Sequence, residues 1–278
     1  MKKSINAWMV SDTTGFAEMF EELKRAGFEA VELNLDKKER SHHSLSLETT
    51  DEELAAIRTM AEEAGLEIAS VSSSLYGTLM GDTSCHEELD KILFCHIRLA
   101  KKLGVDSILV VPGADICGGA DIRTAYDTCF SYLNGRKEKI EQEGVYVCLE
   151  NVWNGFFTSP FDMASFIDRL DSPYIKAYYD VGNTVAFSDT ASWIRILGNR
   201  IERIHVKGYK RSSILNTGGA WVDLPDGSIN WKDVLKALAE IGYDGYFTAE
   251  VTRTREYEND MEFYKEVAKQ ENDILGGN

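Results

Sequence analysis

Proline is scarce in this chain, with four in 278 residues. No Ser/Gly-rich or single-residue tract stands in for it, so nothing marks a linker or a disordered segment. One domain over residues 1–278 is expected, long for an average domain but ordinary for an α/β barrel. Cysteine pairs are also missing. The five cysteines (Cys85, Cys95, Cys117, Cys129 and Cys148) form no CxxC pair and are odd in number. That pattern fits reduced thiols packed as small apolar residues in a reducing compartment. Long apolar runs are absent too: none approaches the roughly 20 residues of a membrane helix. The start, MKKSINAWMV, has too short an apolar stretch for a secretory signal. The cytoplasm is the default location and no membrane partner is expected. Positive charge is in deficit, 30 Lys and Arg against 46 Asp and Glu, for a formal net charge of −16. Such a surface repels phosphate backbones and anionic membranes, so no nucleic-acid partner is expected. A small phosphorylated substrate stays open, because a local basic pocket can coexist with an acidic exterior. Finally, no GxGxxG follows the first strand, which argues against a dinucleotide-binding sheet.

What is present is a recurring pattern. A helical stretch ends at glycine and a short apolar strand follows. The copies are EELKRAGFEAVELNL, RTMAEEAGLEIASVSS, RLAKKLGVDSILVVPG, KEKIEQEGVYVCLEN and LKALAEIGYDGYFTAEV. Gly27, Gly65, Gly104, Gly144 and Gly242 are natural residues for the left-handed turn just past a helix. The first four lie 38, 39 and 40 residues apart, the length of a βα unit with its loops. Strands are predicted at 4–9, 29–35, 67–73, 106–111, 145–150, 175–180, 202–206 and 246–251. Near-continuous apolar runs such as SILVV and VYVCL suit strands buried on both faces. Eight alternating units in this length favour a (β/α)8 TIM barrel over a doubly wound sheet. Long loops follow strands 2, 3 and 7, all on the C-terminal face where barrel active sites form. The strand-7 loop carries the turn signals Gly218-Gly219 and Asp226-Gly227, so either a small hairpin or lid or a static cover is expected there.

Glu150, Asp180, His205 and Glu250 each stand at or beside the C-terminal end of an apolar strand. Their contexts are VCLENVW, AYYDVGN, RIHVKGY and FTAEVTR. These are strands 5 to 8, neighbours in a barrel, so the four groups should converge on the mouth. Three carboxylates in one apolar mouth repel each other and resist desolvation. A divalent cation resolves that conflict. Three oxygens and one imidazole suit one Mn2+, Mg2+, Co2+ or Zn2+ ion with positions left for water or substrate. With no cysteine in the set, a structural tetrahedral zinc site is not expected.

The stretches ENVWN, YYDVGN, HVKGYK and GYDGYFTAE resemble the sugar isomerase/epimerase superfamily of xylose-isomerase-like TIM barrels. The resemblance covers most of the chain and is densest from Glu150 to Glu250. It is nearest to the L-ribulose/L-xylulose 5-phosphate 3-epimerases and the D-tagatose/D-psicose 3-epimerases. It implies that Glu150, Asp180, His205 and Glu250 bind one divalent metal and that the two glutamates act as the acid/base pair. Where the free-sugar epimerases have a D-x-G-H segment, this chain has Asn183 in place of the histidine. A substrate-contacting glutamate of those enzymes would fall on Phe156. Both departures point toward a phosphorylated or otherwise modified ketose.

The expected reaction is metal-assisted proton transfer next to a carbonyl, 3-epimerisation through a cis-enediolate. Glu250 is the expected base and Glu150 the acid, with roles exchanged in reverse. Lys207 follows His205 by two and points the same way, so it meets either a substrate hydroxyl or phosphate or a neighbouring carboxylate. Arg211 and Lys210 either supply a phosphate site or are solvated loop charges. Trp8 and Trp153 either pack on the sugar's apolar face or line the mouth. Ser73, with Ser72 and Ser74, either binds hydroxyls or caps the next helix. His42, His43, His86 and His96 are read as surface or packing residues. Two rival enzymes share the barrel: a keto-inositol dehydratase, which would expel a β-hydroxyl instead of reprotonating, and an apurinic endonuclease. The second needs more histidine ligands and a basic DNA face, which this chain lacks. The expected partner is a small-molecule sugar or sugar phosphate. Superfamily members are often dimers or tetramers, which leaves a homo-oligomer open.

Overall fold

A computed structural model describes residues 1–116, 118–213 and 218–276. Cys117 and residues 214–217 and 277–278 fall outside them. The strands are β1 (Lys2–Asn6), β2 (Ala30–Leu35), β3 (Glu67–Ser73), β4 (Ser107–Val110), β5 (Tyr146–Glu150), β6 (Ile175–Asp180), β7 (Ile201–Val206), β8 (Gly208–Arg211), β9 (Gly219–Val222) and β10 (Tyr246–Ala249). Eight of them close a parallel barrel in the order β1-β10-β7-β6-β5-β4-β3-β2. The remaining two, β8 and β9, form an antiparallel hairpin between β7 and β10. The principal helices are α1 (Phe16–Ala26), α2 (Asp51–Ala64), α3 (His86–Leu103), α4 (Ile122–Asn134), α5 (Lys137–Glu143), α6 (Pro160–Leu170), α7 (Val181–Val185), α8 (Thr190–Leu197), α9 (Trp231–Glu240) and α10 (Asp260–Leu275). This is the expected (β/α)8 architecture.

Local chemistry sets the element ends. Gly27, Gly65, Gly104, Gly144 and Gly242 all have positive φ, so each helix turns at the glycine that the repeat marked. Thr50 and Glu53 form a reciprocal capping box at the start of α2. The first strand departs from expectation: it spans Lys2–Asn6 rather than 4–9. Asn6 ends it by accepting the Trp8 N–H on its side chain at 2.8 Å, which bends 7–9 into a 3-10 turn. The last barrel strand stops at Ala249, yet the Glu250 N–H still donates to Val206 O at 3.0 Å and keeps register.

Two cores result. The large one lies between strands and helices and includes Phe20, Leu54, Ile97, Phe166, Trp193 and Phe263, all buried. A small one, Leu109, Cys148 and Tyr178, sits apart from it. The rest of the barrel interior is polar. Asn6, Glu32, Asn34, Ser70, Ser72, Tyr178 and His205 are all buried and bonded to one another across β1, β2, β3, β6 and β7. At the other end, Arg203 spans the barrel to Asp106 at 2.5 Å and to Ala69 O at 3.3 Å. The described cysteines, Cys85, Cys95, Cys129 and Cys148, are free thiols. Among the described residues, no helix is long and apolar enough to cross a membrane.

Candidate metal centre

Strand pairing brings the four groups together. β5 pairs with β6, β6 with β7 and β7 with β10. Asp180 lies directly opposite His205 in the ladder. Glu150 ends β5 and Glu250 follows β10. Their ligand atoms and those of Asp180 and His205 all lie within 4.8 Å of one another. Nδ1 of His205 is 3.2 Å from Glu150 Oε1 and 3.4 Å from Glu250 Oε2. Asp180 has no exposure and His205 and Glu150 almost none, while the Glu250 side chain keeps 19%.

The DVGN segment has a local logic. Asp180 caps α7: its Oδ1 accepts the Asn183 N–H at 2.9 Å, which leaves Oδ2 for the centre. That Oδ2 lies 2.8 Å from Lys207 Nζ yet receives no well-directed hydrogen bond. A Cβ on Gly182 would sit 2.1 Å from Lys207 Cγ, so only glycine lets the lysine pass. Asn183 donates its side-chain N–H to Asn151 O at 3.1 Å. Asn151 in turn holds Asp180 through both backbone groups, at 3.0 and 2.8 Å. Lys207 donates to Glu250 Oε2 at 2.6 Å, so of its two expected partners it has taken the carboxylates.

Electrostatics follow from this packing. Burial, reinforced by Glu250 and Asp180 against the pull of His205, pushes the Glu150 carboxyl up to about 7. Burial also raises Asp180, against the pull of Lys207. Glu250 is held below the ordinary range: burial opposes its charge, but Lys207 and His205 outweigh burial. Burial likewise opposes the His205 charge, and Glu32, Glu250 and Glu150 overcome it. This is negative charge gathered in a desolvated place, with one underbonded carboxylate oxygen at its centre. Three carboxylates and an imidazole nitrogen fit a borderline-to-hard divalent cation.

A cavity of about 400 Å³ opens above the cluster. Trp8, Ser73, Trp153, Asn183 and Lys207 line it, in addition to Glu150, His205 and Glu250. Trp8 donates to Asp36 Oδ2 at 2.9 Å and Trp153 to Asn183 O at 2.7 Å, so both indoles are fixed. Ser73 bonds Leu35 O at 2.8 Å and the Leu75 N–H at 3.1 Å. Arg211 lies in β8 and Lys210 is exposed, and neither is among the described lining residues. Phe156 is buried among Tyr126, Phe157 and Phe166, away from the cavity. His43 and His96 are packing residues bonded to backbone carbonyls.

Sequence reasoning passed over two residues. Glu32 lies beneath the cluster, its Oε1 2.6 Å from His205 Nε2. The signal was available: Glu and Asn alternate inside the otherwise apolar AVELNL strand. Trp221, on β9, lines the cavity and stacks on Trp153 at 5.1 Å between centroids. Nothing local distinguishes it from a surface loop tryptophan.

Solved structures share the fold. A crystal structure of D-psicose 3-epimerase with D-fructose superposes with a TM-score of 0.76 at 19% identity, covering 100% of both chains. The IOLI protein with a binding zinc atom superposes at 0.82 and 16% identity, over 99% of this chain and 98% of that one. Among curated sequences, an uncharacterized protein of Methanocaldococcus jannaschii is 28% identical over 144 residues. That match spans about half of each chain, 50% of this one and 48% of the relative. The family model described as xylose isomerase-like TIM barrel matches residues 20–267. The barrel and that match agree, and the chain belongs to the xylose isomerase-like TIM barrel family.

Proposed function

We propose that this chain is a divalent-metal-dependent sugar isomerase/epimerase that moves a proton on a carbon next to a carbonyl. The observation that carries this reading is the convergence of Glu150, Asp180, His205 and Glu250 within 4.8 Å, with Glu150, His205 and Glu250 lining one cavity. The D-psicose 3-epimerase of similar fold and the zinc of the IOLI protein support it. The metal, when bound, supplies Lewis-acid polarisation of the carbonyl. Glu250 Oε2, kept ionised by Lys207 at 2.6 Å, accepts the carbon-bound proton. Glu150, the second glutamate of the cluster, returns a proton to the other face. Reversal exchanges the roles.

The wall argues for an uncharged substrate. Trp8, Leu109, Val111, Val152, Trp153 and Trp221 give it apolar and aromatic surface. Lys207 is the only lysine or arginine among the described lining residues, and it already faces two carboxylates. We therefore favour an uncharged ketose or keto-inositol over the ketose phosphate that Asn183 and Phe156 suggested. Asn183 is committed to Asn151, and Phe156 belongs to the core.

The test is a panel of ketoses, ketose phosphates and keto-inositols in D2O with added Mn2+, Co2+ or Zn2+. Deuterium should enter next to the carbonyl of an uncharged member, without loss of water. Glu250→Gln should slow exchange by about 10²–10⁴-fold. Solvent exchange with no substrate and no metal would remove the proposal.

A further inference from the structure

The two ring nitrogens of His205 face different worlds. Nδ1 points into the cluster, 3.2 Å from Glu150 Oε1 and 3.4 Å from Glu250 Oε2. Nε2 points down into the barrel, 2.6 Å from Glu32 Oε1. Glu32 stands on β2, which is not adjacent to β7 in the barrel order, so the contact crosses the interior.

Glu32 has no solvent exposure and accepts four hydrogen bonds. Oε1 takes Asn6 Nδ2 at 2.6 Å and His205 Nε2 at 2.6 Å. Oε2 takes Ser70 Oγ at 2.5 Å and Tyr178 OH at 2.6 Å. A carboxylate offers about four lone-pair sites, and here donors meet all of them. The donors are fixed in turn: Asn6 Oδ1 accepts from Asn34 and from the Trp8 N–H, and Asn34 also donates to Ser72.

We propose that Glu32 is a positioning residue of the metal centre. By accepting from Nε2 it fixes His205 as the tautomer whose Nδ1 lone pair is directed into the carboxylate cluster. The ring cannot rotate or exchange tautomers without leaving Glu32 one donor short where it has no solvent exposure. Partners of this kind orient a metal-binding imidazole, and their loss typically costs about 10- to 100-fold in metal affinity. The inference rests on the metal reading of the site and is independent of the reaction assigned to it.

The experiment titrates Zn2+ and Co2+ alone into wild type, Glu32→Gln and Tyr178→Phe. Glu32→Gln keeps the side-chain volume and one acceptor for Nε2–H, but Ser70 and Tyr178 must then turn. Zn2+ affinity should fall about 10- to 100-fold, and the Co2+ visible spectrum should change, with the folded far-UV signal retained. Tyr178→Phe, which removes one donor to Glu32, should give a smaller loss in the same direction. In zinc-loaded wild type, two-bond ¹H–¹⁵N correlations should assign the His205 proton to Nε2. That measurement needs no variant, so it judges the proposal even if Glu32→Gln fails to fold. Unchanged Zn2+ affinity in Glu32→Gln, or a proton on Nδ1 in zinc-loaded wild type, would overturn it. Wild type that binds neither ion would overturn it together with the metal centre. Metal binding without substrate turnover would remove only the proposed reaction.

Discussion

Lys207 shows how tightly single residues are coupled at the mouth. Its ammonium stands 2.8 Å from Asp180 and 2.6 Å from Glu250, with 14% of its side chain exposed. Removing one partner of such a buried pair costs about 3–5 kcal/mol, because the other charges stay desolvated. Lys207→Met should therefore lower the melting temperature of metal-free protein by about 10 °C. Added Zn2+ should recover more of that loss than it adds to wild type, since the cation takes over the neutralising role. Thermal melts with and without Zn2+ check this, and identical metal-induced shifts in both proteins would refute it. The sequence showed this lysine two residues from the candidate ligand His205 but left its partner open between substrate and carboxylate. Periodicity tells which way a side chain points and not what it meets. The same limit hid Glu32: its partners come from β1, β3, β6 and β7, and no local window holds them together.

At the scale of elements, the strands were legible because apolar runs and terminal glycines are local signals. β3 and β6 coincide with the predicted spans. β1 was misplaced because a side-chain cap, Asn6 to the Trp8 N–H, ended a run that apolarity alone would have continued. The hairpin was one of two outcomes that the loop glycines allowed. Close packing explains two of its glycines. A Cβ on Gly208 would lie 2.2 Å from Val222 O, and one on Gly219 would lie 2.3 Å from Lys210 O. Asp226-Gly227 instead falls after the hairpin, at a 3-10 turn. What holds the hairpin over the cavity is Trp221, stacked at 5.1 Å on Trp153 and packed edge-on at 5.1 Å against Tyr209. Aromatic pairs are worth about 0.5–1.5 kcal/mol each beyond their buried area. Trp221→Ala should thus cut kcat/KM about tenfold or more, mostly through KM. Zn2+ affinity should not change, because Trp221 touches none of the four candidate ligands through a hydrogen bond. A wild-type KM in the variant would show that the stack has no part in binding.

For the whole molecule, stability depends on a carboxyl group far from the mouth. Glu271 of α10 is fully buried, and among the described residues neither carboxyl oxygen meets a well-directed donor. Burial pushes it well above its ordinary value; Lys3 pulls down and Glu29 pushes up. The sign follows from proton linkage. Between the ordinary value of 4.5 and the raised one, the folded chain holds a proton that the unfolded chain releases. Stability from this group is full below that window and falls as pH rises through it, by about 1.4 kcal/mol per pH unit. Glu271→Gln removes the slope. Denaturant unfolding from pH 5 to 8 should show a stability gain for the variant that grows with pH. A difference that stays flat would mean that Glu271 is not buried as a neutral acid.

Among the described residues, the strands of the hairpin join no ladder of the closed barrel, while every candidate ligand stands on or beside one of its strands. Floor and roof are thus separate inheritances. A mutation on the floor disturbs a network that crosses the barrel, so the metal chemistry can change only through several coordinated steps. A mutation on the roof alters one face of the cavity and leaves the barrel ladder intact. On the proposed function, descendants of such a molecule would diverge first in the ring they admit and last in the proton they move.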